Sequence, residues 1–480
     1  MNSINSLNIF KDQNYKKSNR IAFKSSPVVN FNNFKYQKSL DRNDELAFYN
    51  RSIYNPNYYG ITFGNIQITP AKRLHQSNYE INSYIREIGI AKSIYGNDGI
   101  IDLGVGNPDL LPPKKAMDSL AKEVLKETSY RYNAPEGEYG FKKDIAQWLD
   151  KRFELKNVDQ IRELLVTSGI VDSISLILNA YTNPGDKILV PNPGYAQFGD
   201  LLVKHDVEGM EFDLKPENNY QPDFNELSKK DLQGVKGIIL NYPNNPTGVF
   251  ATEETLKNAV KFARDNNLFI IFDMDNSEFH YHDEKPMSIL QLDGAKDVAF
   301  QLHTMSKSFG MPGIRVGFIV GNKDFIAHLK GSKYLSGNST YKPLQKAASA
   351  ALKDKKYIDD TNEEYRKRKD VCVQRLRELG CNIEPSQGTF YLWAKLPDGF
   401  TSQEFFKYTL HKARVAFTPG TALGKNGEGY IRIVLSDNTD RINEAFDNIK
   451  NAGIRFDVPK DKLPEKVQKE IEKISNGEYN

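Results

Sequence analysis

The chain has 480 residues, of which 39% are apolar and 26% charged, and its formal net charge is +3. Those proportions belong to a globular protein of two or three domains, and the near balance of charge gives no reason to expect nucleic acid or an anionic membrane as a partner. No apolar run approaches the length that spans a bilayer, and the two cysteines, Cys372 and Cys381, exclude a disulfide framework and a four-ligand zinc site while fitting a reducing cytoplasm.

Residues 1–60 are polar and rich in Asn, Ser, Lys and Tyr, with Asp12 the only acid before Asp41. This composition predicts a flexible extension. A basic, acid-poor start also has the look of an organelle transit segment, but arginine is nearly absent, so a cytoplasmic location is the expectation and targeting the alternative. No internal repeat is present.

From Asp102 onward the pattern is regular. Residues 163–167 read as a strand, 170–181 as a helix ended by Asn183-Pro184-Gly185, and 187–191 as another strand. Further apolar strands are predicted at 235–241, 268–273, 298–303 and 316–320, with a helix between the first two begun by Thr252 as N-cap and carrying Glu253 and Glu254 in its first turn. Strands buried on both faces and alternating with helices imply an α/β protein with a largely parallel sheet between helical layers, and ligands in such sheets sit at the carboxyl ends of the strands. Residues 354–379 predict a long charged amphipathic helix closed by Gly380, followed by strand-like runs at 389–396, 414–418 and 430–435. That change of pattern marks a second, smaller α/β domain, expected to pack on residues 81–103 and so to be built from both ends of the chain. The Lys and Glu runs at 365–370 and 460–472 read as solvated helix faces.

The chemistry gathers around Lys307 in Thr304-Met305-Ser306-Lys307-Ser308-Phe309-Gly310. A turn of small residues after a strand can hold its amine still and desolvated. Asp273 ends a strand, and a carboxylate there can keep a pyridine nitrogen protonated while a lysine carries the cofactor as a Schiff base. The turn Ser168-Gly169-Ile170-Val171 offers backbone amides at a helix N-terminus to a phosphate, to which Thr304 and Arg315 add a hydroxyl and a guanidinium fork. Arg432, between Ile431 and Ile433, is an unfavourable place for a charge unless an anion meets it; a substrate carboxylate would suffice. With Asn245 in Asn244-Asn245-Pro246-Thr247-Gly248, these residues read together as a pyridoxal phosphate site. Taken singly, each has a plainer reading: a surface lysine, a capping aspartate, an arginine paired to a protein carboxylate, an ordinary turn.

At these residues the chain resembles the fold type I, class I and II aminotransferases over residues 101–450. The matching stretches include Asp102-Leu103-Gly104-Val105-Gly106-Asn107-Pro108-Asp109, Asn192-Pro193-Gly194-Tyr195, Ser306-Lys307 through Arg315-Val316-Gly317, Gly388-Thr389-Phe390-Tyr391-Leu392-Trp393 and Tyr430-Ile431-Arg432. The resemblance implies a seven-stranded sheet, with residues 61–107 as an N-terminal arm and part of the small domain, 108–350 as the large cofactor-binding domain, 351–455 as the rest of the small domain and 456–480 as a charged tail. It implies that Lys307 carries the cofactor and shuttles the proton, Asp273 pairs with the ring nitrogen, Asn245 bonds the ring hydroxyl, and Tyr195 stacks on the ring. Arg315, Thr304 and the amides of Ile170 and Val171 would hold the phosphate, joined by Tyr132 from a second subunit, which requires a homodimer. Gly106 and Arg432 would meet the substrate, with Asn245 beside them. The partners implied are an amino acid and a 2-oxo acid, within amino-acid metabolism and biosynthesis, and no metal is called for.

Three residues after the ring aspartate many relatives carry a tyrosine that donates to the ring oxygen; here that place is Asn276. A weaker donor there predicts an imine proton held to higher pH. Strand alternation would let Asp275 face the same side as Asp273, but a surface or capping role is the expectation. The chain looks most like the subgroup containing LL-diaminopimelate, aspartate and alanine aminotransferases, yet Val171 stands where the diaminopimelate type carries lysine, and Pro135 stands near where it carries an acid, with Glu136 only adjacent. The expected activity is therefore transamination of a small amino acid. A carbon-sulfur β-lyase of the same fold, or the LL-diaminopimelate aminotransferase activity specifically, is the alternative, and a non-catalytic regulatory protein a third reading.

Overall fold

The computed structural model describes residues 61–63, 66–68, 71, 73, 79–281, 283–337 and 339–479. The extension expected over residues 1–60, and the targeting role weighed for it, fall outside the described residues.

Thr252 caps the helix Glu253–Asp265, its side chain accepting from the Thr255 amide at 3.0 Å, and the helix Ile170–Tyr181 has the bounds its pattern predicts. In chain order the strands are β1 (Ile61–Phe63), β2 (Ile66–Ile68), β3 (Ile101–Asp102), β4 (Leu164–Thr167), β5 (Lys187–Asn192), β6 (Glu208–Asp213) and β7 (Val235–Asn241). They continue as β8 (Phe269–Asp273), β9 (Ala299–Thr304), β10 (Gly317–Val320), β11 (Tyr391–Lys395), β12 (Val415–Ala416), β13 (Thr418–Pro419) and β14 (Tyr430–Val434). Strands β4 to β10 form one seven-stranded sheet in the order β4-β10-β9-β8-β7-β5-β6. Only β10 runs against its neighbours, pairing antiparallel with β4 and β9. The fold is thus α/β with a mostly parallel sheet. Strand β6 escaped the sequence pattern because it lies at the sheet's edge, where Glu208, Gly209 and Glu211 stay exposed and no apolar run develops.

Alternation along the strands splits the apolar side chains between two layers. Val166, Ile238, Leu240, Ile270, Phe272 and Phe318 face the helices Tyr139–Phe153, Glu253–Asp265 and Lys342–Leu352. Leu165, Ile239, Ile271 and Ile319 face the helices Ile170–Tyr181, Gln197–Lys204 and Lys323–Ser336. Each such side chain, fully buried, stabilises by roughly 1.5–3 kcal/mol before the entropy of ordering it is subtracted. Both faces of the sheet are therefore spent on packing. What remains open is its edge, where the carboxyl ends of the parallel strands release their turns.

A smaller α/β layer is built from segments on either side of the sheet in sequence. Strand β11 pairs antiparallel with β14 and β14 with β13, while β12 runs parallel to β3, Val415 opposite Ile101. The single run expected at 414–418 is thus two strands in two sheets. Ile101 and Leu103 are buried in the core formed with Leu392, Ile431, Ile433 and Phe446, and Tyr84 and Ile88 pack on Phe406 and Leu410. The helix Lys355–Glu378 ends before Gly380, whose φ of +87° only glycine adopts readily. One expectation fails here. Arg368, read as part of a solvated face, is 3% exposed: its Nη1 donates to Asp109 Oδ1 at 2.7 Å and to the Leu435 carbonyl at 2.9 Å. Likewise Ile471 and Ile474 of the helix Glu465–Ser475 are buried against this layer. Composition alone could not distinguish these inward positions from their charged neighbours.

Among the described residues no helix is long and apolar enough to cross a membrane, no cluster could hold a metal ion, and both cysteines are free and buried.

Candidate active site

Strand β8 ends on Asp273, and the turns leaving β5, β7 and β9 carry Tyr195, Asn245 and Lys307 to the same edge of the sheet. Around them the structure places a phosphate-sized cradle on one side and a buried guanidinium on the other.

The cradle begins where β4 ends. Gly169, with φ +102°, turns the chain into the helix Ile170–Tyr181, so that the amides of Ile170 and Val171 lie in a first turn with no partner inside the helix. Asp172 accepts from the Ser168 amide at 2.8 Å and fixes the turn. Arg315 and Thr304 converge on the same spot: a Cβ on Gly169 would come within 2.9 Å of Arg315 Nη2 and 3.8 Å of Thr304 Oγ1. Arg315 Nη1 donates to the Pro312 carbonyl at 2.9 Å and Nη2 to the Ser168 carbonyl at 3.2 Å, which orients the fork. Thr304 Oγ1 accepts from the Ser306 amide at 3.1 Å. Gly317 lets β10 pass close beneath, since a Cβ there would stand 2.8 Å from Gly169 Cα. Helix amides, a hydroxyl and a guanidinium converging at one point fit a phosphate.

Lys307 Nζ donates to the Gly106 carbonyl at 2.6 Å and lies 5.5 Å from the Phe390 ring centre. Burial pushes its ammonium below the usual lysine range; Asp275 and Asp273 oppose that, while Arg432 and Arg315 add to it. Asp273 is 1% exposed, and burial followed by the charge of Asp275 raises its carboxyl well above the usual range, against the Asp275 amide and Lys307. A buried carboxylate of this kind is short of a positive partner, the condition that a protonated ring nitrogen meets.

The Asn-Asn-Pro-Thr-Gly segment is a built turn. Asn244 Oδ1 accepts from the Thr247 amide at 3.1 Å and from its hydroxyl at 2.7 Å, and the Gly248 amide donates to the Asn244 carbonyl at 2.8 Å. Asn245 is held by its amide, which donates to Asn241 Oδ1 at 2.9 Å, and its own Oδ1 accepts from Arg432 Nη1 at 2.9 Å. That leaves the Asn245 Nδ2 as the donor facing the site.

Arg432 sits on β14 between Ile431 and Ile433, both at most 1% exposed. Besides Asn245, its Nη2 donates to the Gly104 carbonyl at 3.0 Å and to Thr418 Oγ1 at 3.3 Å, and its carbon lies 4.6 Å from the Tyr391 ring centre. All these partners are neutral, and the buried Nε has none. A buried cation without an anion is an anion site by its own energetics. Gly106 lines the same space, where a Cβ would meet Tyr391 Oη at 2.8 Å.

Tyr195 is half-buried, donates to Gln197 Oε1 at 2.6 Å, and has its phenol pushed upward by burial. Two residues stand apart from the expected cluster. Tyr132 is fully exposed on its own chain. Asn276 is buried, but its Nδ2 donates to Asp275 Oδ1 at 2.6 Å and its Oδ1 has no partner. Asp275 is half-buried rather than at the surface: its charge acts on Asp273 and Lys307, and burial raises its own carboxyl. Asn241, Tyr391 and Thr418 are parts of the site that the sequence reading passed over. Only Asn241 offered a signal, as the polar residue closing an otherwise apolar strand.

A family model described as aminotransferase class I and II matches residues 98–449. The chain is 36% identical to an LL-diaminopimelate aminotransferase of Aquifex aeolicus over 353 residues, 73% of this chain and 91% of that enzyme. It is 34% identical to LL-diaminopimelate aminotransferase 2 of a Nostoc species over 77% of this chain and 94% of the other. Among solved structures, substrate-bound BacF from Bacillus subtilis superposes with a TM-score of 0.77 at 32% identity, covering 82% of this chain and all of BacF.

Proposed function

The chain belongs to the class I and II aminotransferases and is a pyridoxal phosphate-dependent enzyme, and on that premise we propose that it exchanges an amino group between a small amino acid and a 2-oxo acid at the site around Lys307. The observation that carries the assignment of the site is Arg432, a buried guanidinium with neutral partners and an unpaired Nε in the same interior as the lysine. Pyridoxal phosphate supplies an electron sink for the charge that develops at the substrate α-carbon.

In this reading Lys307 holds the cofactor covalently and, once released, takes and returns the proton at the α-carbon. Its amine has the burial and the opposing charges that such a base needs. Asp273 would keep the ring nitrogen protonated, Asn245 would donate to the ring hydroxyl, and Tyr195 would pack on the ring. Ile170, Val171, Thr304 and Arg315 hold the phosphate. Arg432 grips the substrate carboxylate, and Gly106 admits it closely. Residues 108–350 would form the body that holds the cofactor, and residues 351–455 with part of the segment 61–107, whose remainder is an N-terminal arm, the smaller one that closes on substrate and excludes water.

We place the enzyme in the cytoplasm as a homodimer with shared sites. Support for the dimer is the full exposure of Tyr132, near Tyr130 and Leu125, which are 71% and 85% exposed. Tyr132 would reach the phosphate of the second subunit. Light scattering should give twice the chain mass, and Tyr132→Phe should weaken cofactor binding by about tenfold, the worth of one hydrogen bond to a charged group. A monomer, or unchanged cofactor affinity, would remove Tyr132 from the site.

The substrate pair stays at the level of class, because Val171 and Pro135 depart from the lysine and the acid of the diaminopimelate type. A half-reaction screen tests the function: each amino acid is added to the yellow enzyme, and its bleaching is followed together with the 2-oxo acid released. A small amino acid should bleach it stoichiometrically. Release of pyruvate and ammonia from cystathionine without any oxo-acid acceptor would instead make it a β-lyase.

A further inference from the structure

The interior holds one carboxylate more than the reading above uses. Asp275 lies two residues past the end of β8, and its amide donates to Asp273 Oδ1 at 3.0 Å, so the two carboxylates are tied within one turn. Its own Oδ1 receives Asn276 Nδ2 at 2.6 Å and Asn241 Nδ2 at 3.4 Å. The same Asn241 donates to the Asp273 carbonyl at 3.2 Å and accepts from the Asn245 amide. One asparagine therefore joins Asp275 to the strand end and to the turn that contacts Arg432.

The neighbouring strand delivers the amine. Strands β8 and β9 are parallel and adjacent, Asp273 opposite Leu302, and Lys307 follows β9 as Asp275 follows β8. We propose that Asp275 is a positioning residue for Lys307: locked by Asn241 and Asn276, its carboxylate holds the proton on the lysine nitrogen, leaving Asp273 to serve the cofactor ring. The inference rests on the aminotransferase reading of this site.

Two features support it. Both donors to Asp275 are neutral amides, which fix its position without neutralising its charge. Asn276 also commits one of its two amide N–H donors to Asp275. Reversing that amide would set oxygen against oxygen, so the orientation is fixed, and the unpaired Oδ1 is an acceptor. Asn276 is therefore tied to Asp275 through one N–H of its amide, and the two work as a unit.

The groups facing Lys307 are Asp275 and Asp273, which favour its charged form, and Arg432 and Arg315, which oppose it, with the Gly106 carbonyl and the Phe390 ring in contact range. Removing the Asp275 charge should release the proton at lower pH. The test uses the full chain stripped of cofactor: the rate at which acetic anhydride modifies Lys307 is followed against pH by peptide mass spectrometry, in the wild type, Asp275→Asn and Asp275→Glu. The midpoint should fall by about one pH unit or more in Asp275→Asn and stay near the wild-type value in Asp275→Glu. In cofactor-loaded protein the visible band should change at correspondingly lower pH. A midpoint that does not move in Asp275→Asn, with Asp275→Glu as the folded control, overturns the proposal. If the protein stays colourless with added cofactor, the aminotransferase reading fails, whereas the cofactor-free titration still reports on Asp275.

Discussion

Lys307→Ala is expected to lower turnover by at least about 10⁴-fold, since it removes both the covalent anchor and the base, and proton transfer alone contributes roughly 10²–10⁴. Borohydride reduction of the loaded wild type should add the cofactor's mass to the peptide carrying Lys307 and to no other, and the variant should gain none. Burial alone does not select this lysine. Lys142, Lys333 and Lys369 are at most 4% exposed, and each is a rival on that criterion. Their surroundings differ. Lys333 Nζ is 3.6 Å from Asp172 and Lys369 is 3.3 Å from Asp370, so each has a carboxylate of its own, and Lys142 lies in the packed helix Tyr139–Phe153. Lys307 alone among them follows a parallel strand into the space shared by Asp273, Asn245 and Arg432. Activity within tenfold of wild type in Lys307→Ala, or added mass on Lys333, would remove the foundation of the assignment.

The same contrast shows what the sequence could tell. Strands β4, β5 and β7 to β10 were legible because each is buried on both faces and bounded by turn residues, a signal that needs no tertiary information. Edge strand β6 was not, because its pattern is set by which neighbour it lacks. In the site, Arg432 was legible as a charge between two isoleucines, whose burial follows from the strand pattern alone. Asp275 was not. A capping aspartate and an interior one look alike in sequence, and what decides between them is Asn241, 34 residues away, whose amide reaches both Asp273 and Asp275. Asn276 is a similar case: its residue type gives a donor, and the fold commits one of its two amide N–H groups to the adjacent carboxylate. Arg368 repeats the lesson on a helix, where its inward direction becomes visible only once Asp109 and Leu435 are placed beside it.

Arg432→Lys should raise KM for the amino acid by about 10²-fold, with a much smaller effect on kcat. The substrate carboxylate keeps its charge through the reaction, so its grip is uniform binding, which appears in KM. Replacing a fork by a point charge loses one charge-assisted hydrogen bond and its geometry, roughly 2–3 kcal/mol. Arg432→Ala should go further and erase discrimination between an amino acid and the corresponding amine without a carboxylate, because nothing else placed there is cationic apart from Lys307 and Arg315, which the cofactor claims. The loss should not be a folding defect. The guanidinium's present partners, Asn245, the Gly104 carbonyl and Thr418, are neutral, and removing an unpaired buried charge relieves desolvation even as it strands those acceptors. Thermal unfolding run beside the kinetics separates the two effects. A variant in which kcat collapses while KM and carboxylate binding stay at wild-type values would mean that Arg432 serves the cofactor or the fold, and the substrate carboxylate would have to be met elsewhere.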